Sequence, residues 1–282
     1  VSTLIYFQGG DDRRLDTGDI VEALDSLPGM RLDGRTGDAY RQGEWRDEAT
    51  GARFVCDVGE PPLEEDPMHL PTAYDGWRPI GLTVHLPLAG PHWQAVEVLR
   101  ALEQVNPLLP GCLALDTEDT ISADGEAPGP FAWSRPRLLV SWERQRDQRV
   151  EGLAAMPRMD RGDSVLMWRY RRERAIAAAA HPGRTWAGIF ALLDRETGAA
   201  RSAVVCADPG VAMALPPVDL IAVAGGDAPG VIESEHLAGL AGAAGIAAAR
   251  LPDVPAMFRA LAAAPRLAIA RFAALDDADW RD

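Results

Sequence analysis

The sequence predicts an α+β protein of two units, and three observations carry that expectation. Apolar segments of period 2 and period 3.6 alternate along 282 residues, a length that supports two cores. The charge is uneven, with 24 Asp and Glu against 9 Arg in residues 1–134 and 18 against 19 in residues 135–282. Between the halves, residues 116–134 scatter Asp116, Glu118, Asp119, Asp124 and Glu126 among Gly and Pro, the composition of a linker. The expected division is an acidic α+β domain over 1–120, a linker over 121–134 and an Ala- and Arg-rich α+β domain over 135–282.

The elements follow in order. Residues 3–8 read as a strand. Asp16, Thr17 and Asp19 supply an N-cap for a helix marked by Ile20, Val21, Leu24 and Leu27, and Pro28-Gly29 stops it. Strands at 44–48 and 53–58 flank Ala49-Thr50-Gly51, a hairpin signal. In the second of them Phe54, Cys56 and Val58 share a face, with Arg53, Val55 and Asp57 on the other. Residues 59–79 carry five Pro and the acidic run Glu64-Glu65-Asp66, and read as an irregular surface excursion. In 80–88, Ile80, Leu82, Val84, Leu86 and Leu88 alternate with Gly81, Thr83, His85 and Pro87, a half-buried strand. Val96, Leu99, Leu102 and Val105 define a helix over 92–105, and 112–115 is a closing strand.

The second half reads as a strand at 137–142, a helix over 165–180, a hairpin of 186–193 and 201–206, a strand at 219–224, helices at 233–244 and 255–263, and a strand at 267–272. The order βαββ-β-αβ in the first half, with a similar order in the second, predicts two ferredoxin-like α/β sandwiches with helices on one sheet face. Two hairpin texts resemble each other, Glu48-Ala-Thr50-Gly51 before Cys56 and Glu196-Thr197-Gly198 before Cys206. Internal duplication and chance recurrence of a Thr-Gly turn both explain this, and strand order decides between them.

Composition narrows the function classes. Apolar residues make up 47% and charged residues 25%, which excludes wholesale disorder. A net charge of −14 argues against nucleic acid as the partner, and no apolar run reaches the length of a membrane span. All 28 basic residues are Arg. The N-terminal residues lack an export-signal pattern, so a cytoplasmic location with free thiols is expected. Cys56, Cys112 and Cys206 are odd in number and widely spaced, which indicates neither a disulfide framework nor a zinc site. Cys56 and Cys206 are expected to be buried, inert and not bonded to each other.

Catalytic motifs are sparse. A chain without Lys has no phosphate-binding G-x-x-x-x-G-K loop, and G-x-S-x-G, H-E-x-x-H and G-x-G-x-x-G are absent. His85 and His92 are the two imidazoles close in sequence, and converging with Asp116 or Cys112 they would make a metal site; surface and helix-cap roles are the plainer expectation, and no metal or cofactor is assigned. Gly9-Gly10-Asp11 and Gly225-Gly226-Asp227 resemble the Gly-Gly-Asp signature of diguanylate cyclases, which lies in a hairpin. Here both triplets run from a strand toward a helix and read as glycine turns. Arg161-Gly162-Asp163 reads as a helix cap. The run Arg169, Arg171, Arg172, Arg174 reads as an exposed helix face, with an anion contact as the alternative.

The leading expectation is a non-enzymatic protein that binds a basic protein partner through its acidic first domain, a toxin-neutralising immunity protein being one concrete form. The alternative is an enzyme or small-ligand module with a site between the two domains. The residues singled out as ligand or partner surface are His85, His92, Arg169, Arg172, Glu64, Glu65, Asp66 and Trp77. Thr83 and His85 are further expected near the domain junction, with Trp133 close by.

Overall fold

The computed structural model describes residues 1–9, 15–34, 40–59, 76–117, 129–148, 155–180, 182, 185–206, 213–214, 216, 218–224, 229–237 and 264–282. Glu64-Glu65-Asp66, Gly10 to Asp12, Gly225 to Asp227 and the helix expected at 255–263 lie outside these residues. The chain divides into two compact units, Val1–Ala154 and Ala155–Asp282. Among the described residues no helix is long and apolar enough to cross a membrane.

Unit 1 starts with β1 (Ser2–Gly9) and α1 (Thr17–Asp25). The cap is reciprocal: the Asp19 amide donates to the Asp16 side chain at 2.9 Å, and the Asp16 amide donates to the Asp19 carboxylate at 3.0 Å. The chain leaves α1 through Gly29, whose φ is +88° and whose Cβ, if present, would lie 2.2 Å from the Arg46 carbonyl oxygen. Only glycine fits that turn. Then come β2 (Met30–Leu32), β3 (Tyr40–Arg46), β4 (Arg53–Gly59), β5 (Trp77–Leu86), α2 (His92–Val105), β6 (Cys112–Asp116), β7 (Phe131–Ala132) and α3 (Arg135–Gln148).

The seven strands form one sheet in the order β2-β3-β4-β5-β1-β6-β7, each neighbouring pair antiparallel. The chain crosses from β1 past α1 to β2 at the far edge and returns through β3 and β4 to β5 beside β1, then crosses past α2 to β6 with β1 between β5 and β6. Phe54, Cys56 and Val58 of β4 and Ile80, Leu82, Val84 and Leu86 of β5 are buried, as their alternation requires. They meet Ile20 and Leu24 of α1 and the buried face of α2.

Helix α2 is buried along Trp93, Ala95, Val98, Leu99, Ala101, Leu102 and Val105, and also at the polar Gln94 and Glu97. The reason is that it packs against α3 as well as the sheet. Residues 137–142, expected as a strand of the second half, are part of α3 in unit 1. The helix buries Leu138, Ser141, Trp142 and Gln145, and Trp142 is fully buried with its indole N–H donating 2.9 Å to the Pro87 carbonyl. Burying such an aromatic contributes roughly 2–3 kcal/mol. Residues 131 and 132, expected in a linker, add β7 to the sheet edge against β6.

Unit 2 contains α4 (Arg161–Ala180), β8 (Thr185–Trp186), β9 (Ile189–Asp194), β10 (Ala200–Cys206), β11 (Met213–Ala214), β12 (Leu220–Val223), β13 (Gly230–Glu233) and β14 (Phe272–Leu275). Five strands pair in the order β13-β12-β10-β9-β14, and β8 pairs with β11 separately. Leu192, Ala203, Leu220, Val231 and Phe272 form a buried apolar cluster. The strand expected over 186–193 is two strands in different sheets. The strand expected at 267–272 starts later, because Leu267 makes one bridge to Val231 and 269–271 turn before β14. The helix expected from 233 begins as a tight turn at Ser234–Leu237, and its remainder lies outside the described residues.

The two units therefore share α+β character but not strand order. The second neighbour of the unit 1 hairpin strand β4 is the antiparallel β5 that follows it, whereas the second neighbour of the unit 2 hairpin strand β10 is the parallel β12, reached after β11. A duplication requires the same neighbours in the same directions, and among the described residues the units do not have them.

Candidate functional site

The face of the unit 1 sheet turned away from α1 and α2 carries the polar members of each alternating strand. Register decides which of them meet. Thr3 of β1 pairs with His85 of β5, Val55 of β4 pairs with the same His85, and Asp57 pairs with Thr83. Across the next strand Gln42 of β3 pairs with Asp57 and Glu44 with Val55.

These positions form a continuous polar chain over four strands. His85 Nε2 lies 2.8 Å from Asp57 Oδ2, and His85 Nδ1 lies 3.4 Å from Thr3 Oγ1. The other Asp57 oxygen accepts from the Tyr40 hydroxyl and, at 3.3 Å, from the Gln42 amide. About a third of the His85 side chain and a quarter of Asp57 are exposed, at 31% and 25%. Partial burial pushes the Asp57 carboxyl up, but hydrogen bonds from Tyr40 and His85 outweigh it and hold the group below the ordinary aspartate range. The hydrogen bond to Asp57 raises the Tyr40 phenol, which stays protonated as a donor. On the same face Ile5, Phe7 and Leu115 make a small buried apolar cluster with Trp77 packed against it.

The other residues singled out from sequence have separate places. His92 opens α2 and pairs with Glu143 of α3 at 2.9 Å, with its ring edge-on to Trp142. His85 and His92 thus have different carboxylate partners and do not converge on Asp116 or Cys112. Asp116 is buried and instead accepts from the Gln145 amide at 2.9 and 3.1 Å. Trp133 stacks on Tyr6 with ring centroids 6.3 Å apart.

In unit 2, Arg169 and Arg172 are exposed on α4, and Arg172 lies over the Trp168 ring. Their neighbour Arg171 holds the C-terminal segment through Asp277, at 2.5 and 3.1 Å. The helix cap is Asp160, which accepts from the Gly162 amide at 2.7 Å, rather than Asp163. Asp163 sits close to Asp219, and burial first, then Asp219 and Asp160, push its carboxyl up to about 6. Cys56, Cys112 and Cys206 are buried, and none is in a disulfide. Burial, with Asp57 adjacent, pushes the Cys56 thiol up to about 12, which suppresses the reactive thiolate.

Sequence reasoning placed His85 and Asp57 on one face through strand alternation. It missed Thr3, Tyr40 and Gln42, because their meeting depends on the pairing register, which alternation alone does not encode. Compared with protein-family models, with curated proteins and with solved structures, the chain matches none.

Proposed function

We propose that unit 1 is a protein-binding module for a basic partner surface, acting without catalysis in that role, with a toxin-neutralising immunity protein as its concrete form. The observation that carries this is the charge division. Val1–Ala154 holds 27 Asp and Glu against 14 Arg, while Ala155–Asp282 holds 15 against 14. Helix α1 contributes Glu22 and Asp25 in its last turn, where the negative end of the helix dipole disfavours acids. Among the described residues neither has a cationic partner. Acids left uncompensated in this way favour association with a basic surface and accelerate it. The split crossings of β1, β4, β5 and β6 support reading the unit 1 core as ferredoxin-like, and three cysteines outside any disulfide support a cytoplasmic setting.

The test is a binding titration of the full chain against basic proteins encoded beside its gene, at about 10 mM salt, where the Debye length is ~30 Å. Binding that weakens as salt rises, and that associates about 10-fold more slowly for the Glu22→Arg/Asp25→Arg variant, is the expected result. Absence of binding at low salt, or binding indifferent to salt and to that variant, overturns the reading.

A further inference from the structure

The geometry points to Thr3 as a nucleophile for acyl transfer from a carboxylic ester, with His85 as its general base and Asp57, bonded by Tyr40, positioning the imidazole. A threonine hydroxyl attacks a carbonyl poorly unless a base removes its proton, and the base in turn needs an orienting group. All three stand in one chain here. Asp57 and His85 are 2.8 Å apart, and the opposite ring nitrogen faces Thr3 Oγ1 at 3.4 Å.

The ring orientation follows from what each atom can donate. Asp57 is ionised and only accepts, so the neutral imidazole carries its proton on Nε2 toward that carboxylate. Nδ1 then presents its lone pair to the Thr3 hydroxyl. Tyr40 and Gln42 fill the second carboxylate oxygen and fix it from β3. The 3.4 Å separation is of the kind that tightens when substrate docks. The pair lies on a half-buried sheet face, and Val55, opposite His85, gives it an apolar edge suited to a small uncharged ester.

The step balances within these groups. Thr3 Oγ1 bonds to the acyl carbon while His85 Nδ1 takes the hydroxyl proton. The ester C–O bond breaks, and the leaving alcohol takes the proton from the imidazolium. Water, deprotonated by His85, then hydrolyses the acyl-threonine to the acid and restores the hydroxyl.

The chain suits the test, because without Lys no lysine amine competes for an acylating reagent. The full chain is treated with p-nitrophenyl acetate, quenched in acid before the acyl-threonine is hydrolysed, and the acetyl group located by peptide mass spectrometry. The expected result is acetyl on Thr3, kept in Thr3→Ser and lost in Thr3→Val. His85→Asn slows that labelling about 100-fold. Asp57→Asn slows it by a smaller factor. Wild-type protein without acetyl on Thr3, or Thr3 labelled in His85→Asn at the wild-type rate, overturns the proposal. The Thr3→Ser variant separates the two explanations of any loss in Thr3→Val, since a hydroxyl on an unperturbed strand restores the adduct only if chemistry is responsible.

Discussion

The turn at 47–52 and the turn at 194–199 are built from the same hydrogen bonds in different surroundings. Their sequences are Asp-Glu-Ala-Thr-Gly-Ala and Asp-Arg-Glu-Thr-Gly-Ala. In each, the Asp carboxylate accepts from the amide two residues on, Ala49 at 2.8 Å and Glu196 at 3.0 Å. In each, the Gly amide donates to the Asp carbonyl, at 2.8 and 2.7 Å, and the final Ala amide donates 3.3 Å to the Thr hydroxyl. Gly51 and Gly198 have φ of +80° and +72°. The surroundings differ. Asp194 is fully buried and held by two bonds from Arg271, at 2.9 and 2.6 Å, while Asp47 is half-buried and has no ion pair among the described residues. Local sequence thus sets the turn, and distant sequence sets how much the fold depends on it.

The largest effect expected from this difference is on the aspartates. Asp194→Ala leaves Arg271 Nε and Nη2 and the Glu196 amide without their acceptor, with only Nη1 still paired to Glu196, and should cost about 3 kcal/mol in denaturant unfolding. Asp47→Ala removes only local bonds and should cost about 1 kcal/mol. Equal losses would break the comparison.

Acid titration sharpens it with a smaller effect, since a protonated Asp194 still accepts hydrogen bonds. The Arg271 bonds hold Asp194 down at about 2, against 3.8 in the unfolded chain. A depressed carboxyl stabilises above the unfolded value, so its contribution is present above about pH 4 and is lost as pH falls through about 2. Asp163 has the opposite sign. Raised to about 6, it favours the fold below about pH 4 and loses that contribution as pH rises through about 6. Unfolding of unit 2 followed against pH should therefore flatten below pH 4 in Asp194→Asn and between about 4 and 6 in Asp163→Asn. An unaltered profile in either variant contradicts the assignment.

The smallest effect is on the glycines, where the turns should behave alike. A Cβ at Gly198 meets nothing within 4 Å, so Gly198→Ala costs only the left-handed backbone, about 1 kcal/mol. Gly51→Ala should cost about the same, and a several-fold difference would show that backbone conformation is not what the two positions share.

The same division between local and distant information decides what was legible in the sequence. The α1 cap, both hairpin turns and the alternation of β4 and β5 are local and were readable. Helix α3 was misread because its buried positions include Ser141 and Gln145, polar residues that hide the helical period, while Leu138-Leu139-Val140 reads as strand. The parallel pairing of β10 with β12 and the Thr3–His85 pairing depend on which strands come together, and neither leaves a periodic signal.

The seven-stranded sheet is bounded by β2, three residues long, and β7, two residues long. Such stubs present few free amide and carbonyl groups, so another molecule's extended chain gains little by aligning there. Among the described residues, growth of the sheet from one molecule to the next, as along a cross-β fibre, finds little template at either margin. The partner proposed for unit 1 would, among the described residues, meet side chains on the sheet faces rather than backbone at its rim.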